Sequence, residues 1–196
     1  MELLAETGSE EAVSLRAVAQ RVGVSVPSIY LHFADKQALL DAVCEEVFEK
    51  LFLALKEGSA DATDPFDALR RQGSAYVRFA LENPEQYRIV MRGPSTYAPE
   101  QEIASGAFGY VIDTVTGCIG LGILEGDPIE LSLQLWAGVH GLASLMMDKP
   151  LFPWPSIEDV VEGTVCRLGW GLAAGSRLET GLPATEYVER LNRLRD

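Results

Sequence analysis

"SLRAVAQRVGVSVPSIYLHFADKQALLDAV", residues 14 to 43, decides how the chain is read. Its first part, residues 14 to 22, sets Leu15, Val18, Ala19 and Val22 on one helical face, with Ser14 as N-cap and Gly23 as stop. After Gly-Val-Ser, a second short helix over residues 25 to 33 opens at Ser25. Pro27 falls in its first turn, where a missing N–H breaks no hydrogen bond. Ile29 and Phe33, four apart, share an inner face with Val24, while Val26, Pro27, Tyr30 and Leu31 fall on the other side. Asp35 then caps a long helix from Lys36 to about Lys56, whose apolar stripe is Leu40, Val43, Val47, Leu51 and Leu55.

A helix apolar on all sides is ordinarily buried on all sides. This one is short, follows a turn of small residues, and carries Ser28 and His32 among its apolar groups. A helix lodged in the major groove uses that mixture, with methyl-bearing side chains against thymine and hydroxyl or imidazole groups on base edges and phosphates. Lys36 opens the next helix, within reach of a phosphate that its free amides also attract.

Prolines and glycines cut the rest of the chain into helix-length pieces, at about 65–82, 84–92, 100–124, 128–148 and 156–175, and a helix tail over residues 2 to 7 ends at Gly8. Alternating strand patterns are nearly absent. The expectation is an all-α chain, with a helix-turn-helix unit over residues 1–45 and a larger helical bundle over 46–196.

Sixteen basic against twenty-nine acidic residues give the 196-residue chain a formal net charge of −13. That balance excludes a surface that coats nucleic acid or anionic membrane throughout, and leaves room for one docking face. No run of eighteen apolar residues and no basic-then-apolar leader is present, so a cytoplasmic protein without a membrane partner is expected. Cys44, Cys118 and Cys166 are far apart and in no ligand spacing, which points to reduced thiols, no metal and no cofactor. No nucleophile or acid–base group accompanies His140, so catalysis is not expected.

Residues 14 to 43 resemble the DNA-binding segment of TetR-family repressors. The resemblance is carried by Ser14, Ala19, Gly23 to Ser25, Tyr30 to Phe33 and Lys36 to Leu39. It implies phosphate contacts from Ser14, Tyr30, His32 and Lys36, with Ser25 capping the recognition helix. It also implies that Val26, Pro27, Ser28 and Leu31 face bases, in operator DNA bound by a homodimer. Val26 and Pro27 stand where many relatives carry Lys, Arg or Gly, so readout would rest on apolar contact and shape. Relatives begin with a basic arm and a fuller first helix, so a truncated first helix is expected here. Residues 1 to 36 hold Arg16, Arg21 and Lys36 against Glu2, Glu6, Glu10, Glu11 and Asp35, a net of −2.

Residues 128 to 147 carry a heptad seam through Leu131, Leu135, Gly138, Leu142 and Leu145, and residues 157 to 172 a stripe of Ile157, Val161, Val165, Leu168 and Leu172. Two such neighbouring helices suit a two-fold four-helix interface, and TetR-like proteins dimerise through their last two long helices. Leu131, Leu135, Leu142, Leu145, Ile157, Val161, Val165 and Leu168 are the expected contacts. "WAGVHG", residues 136 to 141, resembles the Trp-x-x-x-His-Gly signature of one TetR-like C-terminal subgroup. A mostly apolar effector pocket is expected from Tyr76, Phe79, Tyr87, Met91, Phe108, Ile112, Val115, Trp136 and His140. The resulting expectation is a ligand-responsive repressor on a palindromic operator, released by a small, largely apolar effector. The alternative is a helical dimeric binding protein with lost or weak DNA binding, to which the acidic N-terminal unit gives weight.

Overall fold

In a computed structural model, the described residues are 3, 14–92, 106–175 and 183–193. They form nine helices and no strand: α1 (Leu15–Val22), α2 (Val26–Tyr30), α3 (Lys36–Gly58), α4 (Pro65–Glu82), α5 (Pro84–Arg92), α6 (Gly106–Gly120), α7 (Pro128–Asp148), α8 (Ile157–Gly175) and α9 (Ala184–Arg193). The expected helix tail over 2–7, apart from Leu3, lies outside the described residues, as does the expected start of a helix at 100.

Local chemistry sets the starts. Ser14, Ser25, Asp35, Asp64 and Asp127 each accept backbone N–H groups of the first turn they precede. Gly23 ends α1 at φ 73°, in the left-handed region, and returns its N–H to the Ala19 carbonyl. The recognition helix is shorter than its pattern suggested, because Leu31 and His32 already lie in a turn.

α4 is the hub, packed against α3, α5, α6, α7 and α8. The main core gathers Val47, Leu51 and Leu55 of α3, Val77, Phe79 and Ala80 of α4, and Val139, Ala143, Val161 and Val165 of α7 and α8. Each large aliphatic side chain buried there contributes about 1.5–3 kcal/mol. A second cluster joins Leu69, Val115, Cys118, Leu124 and Leu131. A third, around Leu40 with Leu3, Val18 and Val43, ties the helix-turn-helix to the start of α3. One helix therefore serves both ends, with Val43 in the third cluster and Val47 in the main core.

Val22 and Val24, assigned to the inner face, are exposed. Val22 sits in the last turn before the stop, and Val24 lies in the linking turn, where helical phase no longer predicts direction. α9 has no counterpart in the sequence reading. Its apolar content is small, and Glu186–Arg190 and Glu189–Arg193 pairs line it at spacing four.

Candidate functional site

The reading head is built by the caps. Ser25 Oγ accepts from Ser28 N–H at 3.3 Å and lies 2.7 Å from Ser28 Oγ, so both hydroxyls are engaged within α2. Ile29 is buried and Phe33 half-buried, and together they anchor the inner side. Tyr30 and Leu31, the latter 83% exposed, point away with His32 and Pro27. Ser14 is exposed, whereas Val26, Ser28 and Lys36 are half-buried. The expected contacts therefore occupy exposed or half-buried positions on α2, in the turn that follows it and at the starts of α1 and α3. A free apolar side chain such as Leu31 there gains nothing from the chain's own core.

The bundle holds a polar cluster, buried at Tyr76 and Tyr87, half-buried at His140 and open to solvent at Trp136. Trp136 Nε1–H donates to Tyr76 Oη at 2.9 Å. Tyr76 Oη and Tyr87 Oη are 2.8 Å apart, and Tyr87 Oη lies 2.6 Å from His140 Nδ1. Tyr76 Oη is also 3.2 Å from that nitrogen and 4.0 Å from Met91 Sδ. Ser144 Oγ stands 3.5 Å from His140 Nε2. Tyr87 stacks on His140 with ring planes 26° apart, and Phe108 packs on Trp136 at 5.6 Å. Burial raises both tyrosine pKa values and lowers that of His140. Three helices are needed, because Tyr76 is on α4, Tyr87 and Met91 on α5, and Trp136, His140 and Ser144 on α7.

Six of the nine expected pocket residues meet here: Tyr76, Tyr87, Met91, Phe108, Trp136 and His140. Of the other three, Phe79 is buried in the same main core as Tyr76 and Tyr87, Val115 sits fully buried in the second cluster, and Ile112 lines a separate open groove of about 550 Å³ with Glu49, Phe52, Tyr110 and Ile129. Ser144 was not foreseen. A spacing of four could have found it, since Ser132, Trp136, His140 and Ser144 follow one another at that interval.

The expected dimer contacts divide. Leu131, Val161 and Val165 are buried in the chain's own clusters, so they are not available to a second copy. Leu168 packs on Gly138 of α7, and Gly169 receives Phe66 of α4, so the seam joins α7 and α8 within one chain. Leu135 and Leu142 are half-buried. Leu145 and Ile157 stay exposed, with Leu133 and Trp170, and both Gly141 and Gly171 have open space where a side chain would be.

Among the described residues there is no group of three or more potential metal ligands, and no helix is long and apolar enough to cross a membrane.

Residues 1–43 match the family model described as bacterial regulatory proteins, tetR family, and residues 69–168 match that of the tetracyclin repressor-like C-terminal domain. The HTH-type transcriptional activator FasR of Mycolicibacterium smegmatis is 25% identical over 167 residues, which are 82% of this chain and 73% of that protein. The tetracycline repressor protein class C of Escherichia coli is 28% identical over 113 residues, 58% of this chain and 50% of its own. A solved structure of a protein of unknown function from Rhodococcus sp. RHA1 superposes with a TM-score of 0.74 at 29% identity, covering 88% of this chain and 90% of that one.

Proposed function

The chain belongs to the TetR family of bacterial regulatory proteins, a transcription regulator with a DNA-binding helix-turn-helix and not an enzyme, and on that premise we propose that it is a dimeric, effector-released repressor of a palindromic operator. The observation that carries this reading is the unburied outer face of α2. Tyr30, Leu31, His32 and Pro27 are presented to solvent from a helix whose other side is pinned by Ile29. Two copies joined through the exposed face of α7 and α8 would carry two such heads to successive major grooves.

The effector would lodge at the Tyr76–Tyr87–Trp136–His140 cluster. Tyr76 shares α4 with Val77 and Ala80, which pack in one core with Val47 and Leu51 of α3. A ligand that fits one arrangement of α4 against α3 better than the other would move the heads, and with them the half-site spacing.

The test is selection of bound duplexes from a random pool by the full chain. A two-fold repeat should be enriched, with half-site centres about 10 base pairs, or a multiple, apart. Enrichment of single half-sites would remove the dimeric reading. No enrichment would favour a helical binding protein without DNA activity, the reading that the net charge of −2 over residues 1 to 36 supports.

A further inference from the structure

We infer that the open groove between α3 and α6 is a binding site for a lipophilic cation, an amine or quaternary ammonium carried on an apolar body. The groove shares no residue with the Tyr76–His140 cluster, and the inference does not rest on that cluster.

The groove holds about 550 Å³, within the roughly 300–1,000 Å³ of small-molecule sites. Two short stripes build it. Gly106, Gly109, Tyr110 and Asp113 follow one another at steps of three, one and three, which is one face of α6, and Glu49 and Phe52 are neighbours on α3 at a spacing of three. Gly106 has open space where a side chain would be, so the wall there is backbone. Ile112 and Ile129 add apolar surface.

The aromatic part is rigid and offers ring surface. Phe52 and Tyr110 meet edge to face, with centroids 5.6 Å apart and planes at 87°. Ser59 Oγ donates to the Leu55 carbonyl at 2.8 Å, so at 3.1 Å it accepts from Tyr110 Oη, and the phenol proton is committed inside the chain.

Charge decides the class of occupant. Glu49 and Asp113 are exposed, and among the described residues neither side chain has an ion-pair or hydrogen-bond partner. Neither Lys nor Arg is among the residues that line the groove. Lys56 Nζ stands beside it, 5.9 Å from the Phe52 centroid, and counted with the two carboxylates it leaves a formal −1. The start of α6 at Gly106 favours an anion, but a helix end carries only about half a charge. An ammonium therefore gains two carboxylates and a ring face, while the apolar surface of Phe52, Ile112 and Ile129 takes the rest of the molecule. A carboxylate on the same body meets like charge.

The experiment titrates decyltrimethylammonium, 1-decanol and decanoate into the full chain by isothermal calorimetry. Wild type should bind the cation about tenfold more tightly than the anion, with decanol between them, and added salt should narrow the gap. Glu49→Gln combined with Asp113→Asn should weaken the cation about three- to tenfold and leave decanol unchanged. Both positions are exposed, so Tm should stay near that of the wild type. Glu82→Gln combined with Glu125→Gln removes two exposed carboxylates that do not line the groove, and should leave all three affinities as they were. Equal loss in the two double variants would assign the preference to the overall charge of −13 and overturn the site. Unchanged cation binding by the Glu49 and Asp113 variant overturns it as well. Equal binding of cation and anion by the wild type, or no binding of the cation, overturns the inference without any variant having to fold.

Discussion

Tyr87 Oη sits 2.6 Å from Nδ1 of His140, 53 residues away in sequence, and the tautomer of that ring sets the direction of the hydrogen bonds around it. With Nδ1 unprotonated, Tyr87 donates to it and accepts from Tyr76, and with the proton on Nδ1 the ring donates to Tyr87 instead. In both arrangements Tyr76 Oη accepts from Trp136 Nε1–H. Burial favours the neutral ring, since charging it would leave an imidazolium in a poorly solvated space.

Stability should therefore depend on pH through His140. Its folded pKa is lowered by burial, so below the ordinary value of about 6.5 the unfolded chain binds a proton that the folded one refuses. The contribution is complete above about pH 6.5 and is lost as pH falls from there through the lowered folded value. Melting curves at about pH 7.5 and pH 5.5 should show a larger fall in Tm for the wild type than for His140→Gln. An equal fall in both would mean that His140 is not held neutral by burial.

Gly138→Ala should destabilise the bundle by about 1–3 kcal/mol, or a few degrees of Tm. An added Cβ would stand 2.4 Å and 2.9 Å from the two methyl carbons of Leu168 and 3.2 Å from its Cγ, so Leu168 would have to shift within the packed seam of α7 and α8. Combining the change with Leu168→Ala should cost less than the sum of the two single changes, because the smaller side chain makes room. Strict additivity in chemical denaturation would refute this packing.

The helix-turn-helix was legible because its signals are local: Ser14, Ser25 and Asp35 cap, Gly23 turns, and Ile29 anchors, all as their spacing demands. The bundle was legible as helices and less so as surfaces. Stripes such as those that hold Leu131 on α7 and Val161 and Val165 on α8 state that something covers them. Only the three-dimensional arrangement shows that α4, α6 and the facing helices of the same chain do so. The Tyr76–Tyr87–His140 contact joins positions 11 to 64 residues apart, which no periodicity encodes. Ile112 and Val115 share with Phe108 one face of α6, at spacings of four and seven, but lie one and two turns further along it, beside the open groove and in the second cluster, so a shared face alone overfilled the pocket.

On DNA, Tyr30→Ala and Lys36→Ala should weaken binding to specific and random duplexes alike. Lys36→Ala should also reduce the slope of log affinity against log salt by about one. Leu31→Ala should act differently, lowering discrimination at a base position by about 1–3 kcal/mol while changing non-specific binding little. Tyr30 and Leu31 are mostly exposed, so their changes should leave Tm near that of the wild type. Band-shift titrations against the selected operator and a scrambled duplex check all three. Unchanged binding in the Tyr30 and Lys36 variants would move the docking face away from α2.

Self-association should depend on the outward face of α7 and α8. Leu145 is 50% exposed, Ile157 42% and Trp170 63%, with Gly141 open to close approach by another helix. Burying that face between two copies would remove its apolar area from water, and a carboxylate placed there would have to be desolvated without a partner. Leu145→Glu should thus shift sedimentation at micromolar concentration from dimer to monomer, because the chain's own core does not depend on that half-exposed side chain. Affinity for a two-fold operator should drop steeply, since two independently bound heads lose the advantage of being linked. A single isolated half-site should still bind the variant as it binds the wild type. A Leu145→Glu protein that stays dimeric would place the two-fold contact on another surface, and the buried seam of α7 and α8 already excludes Leu131, Val161 and Val165 from supplying it.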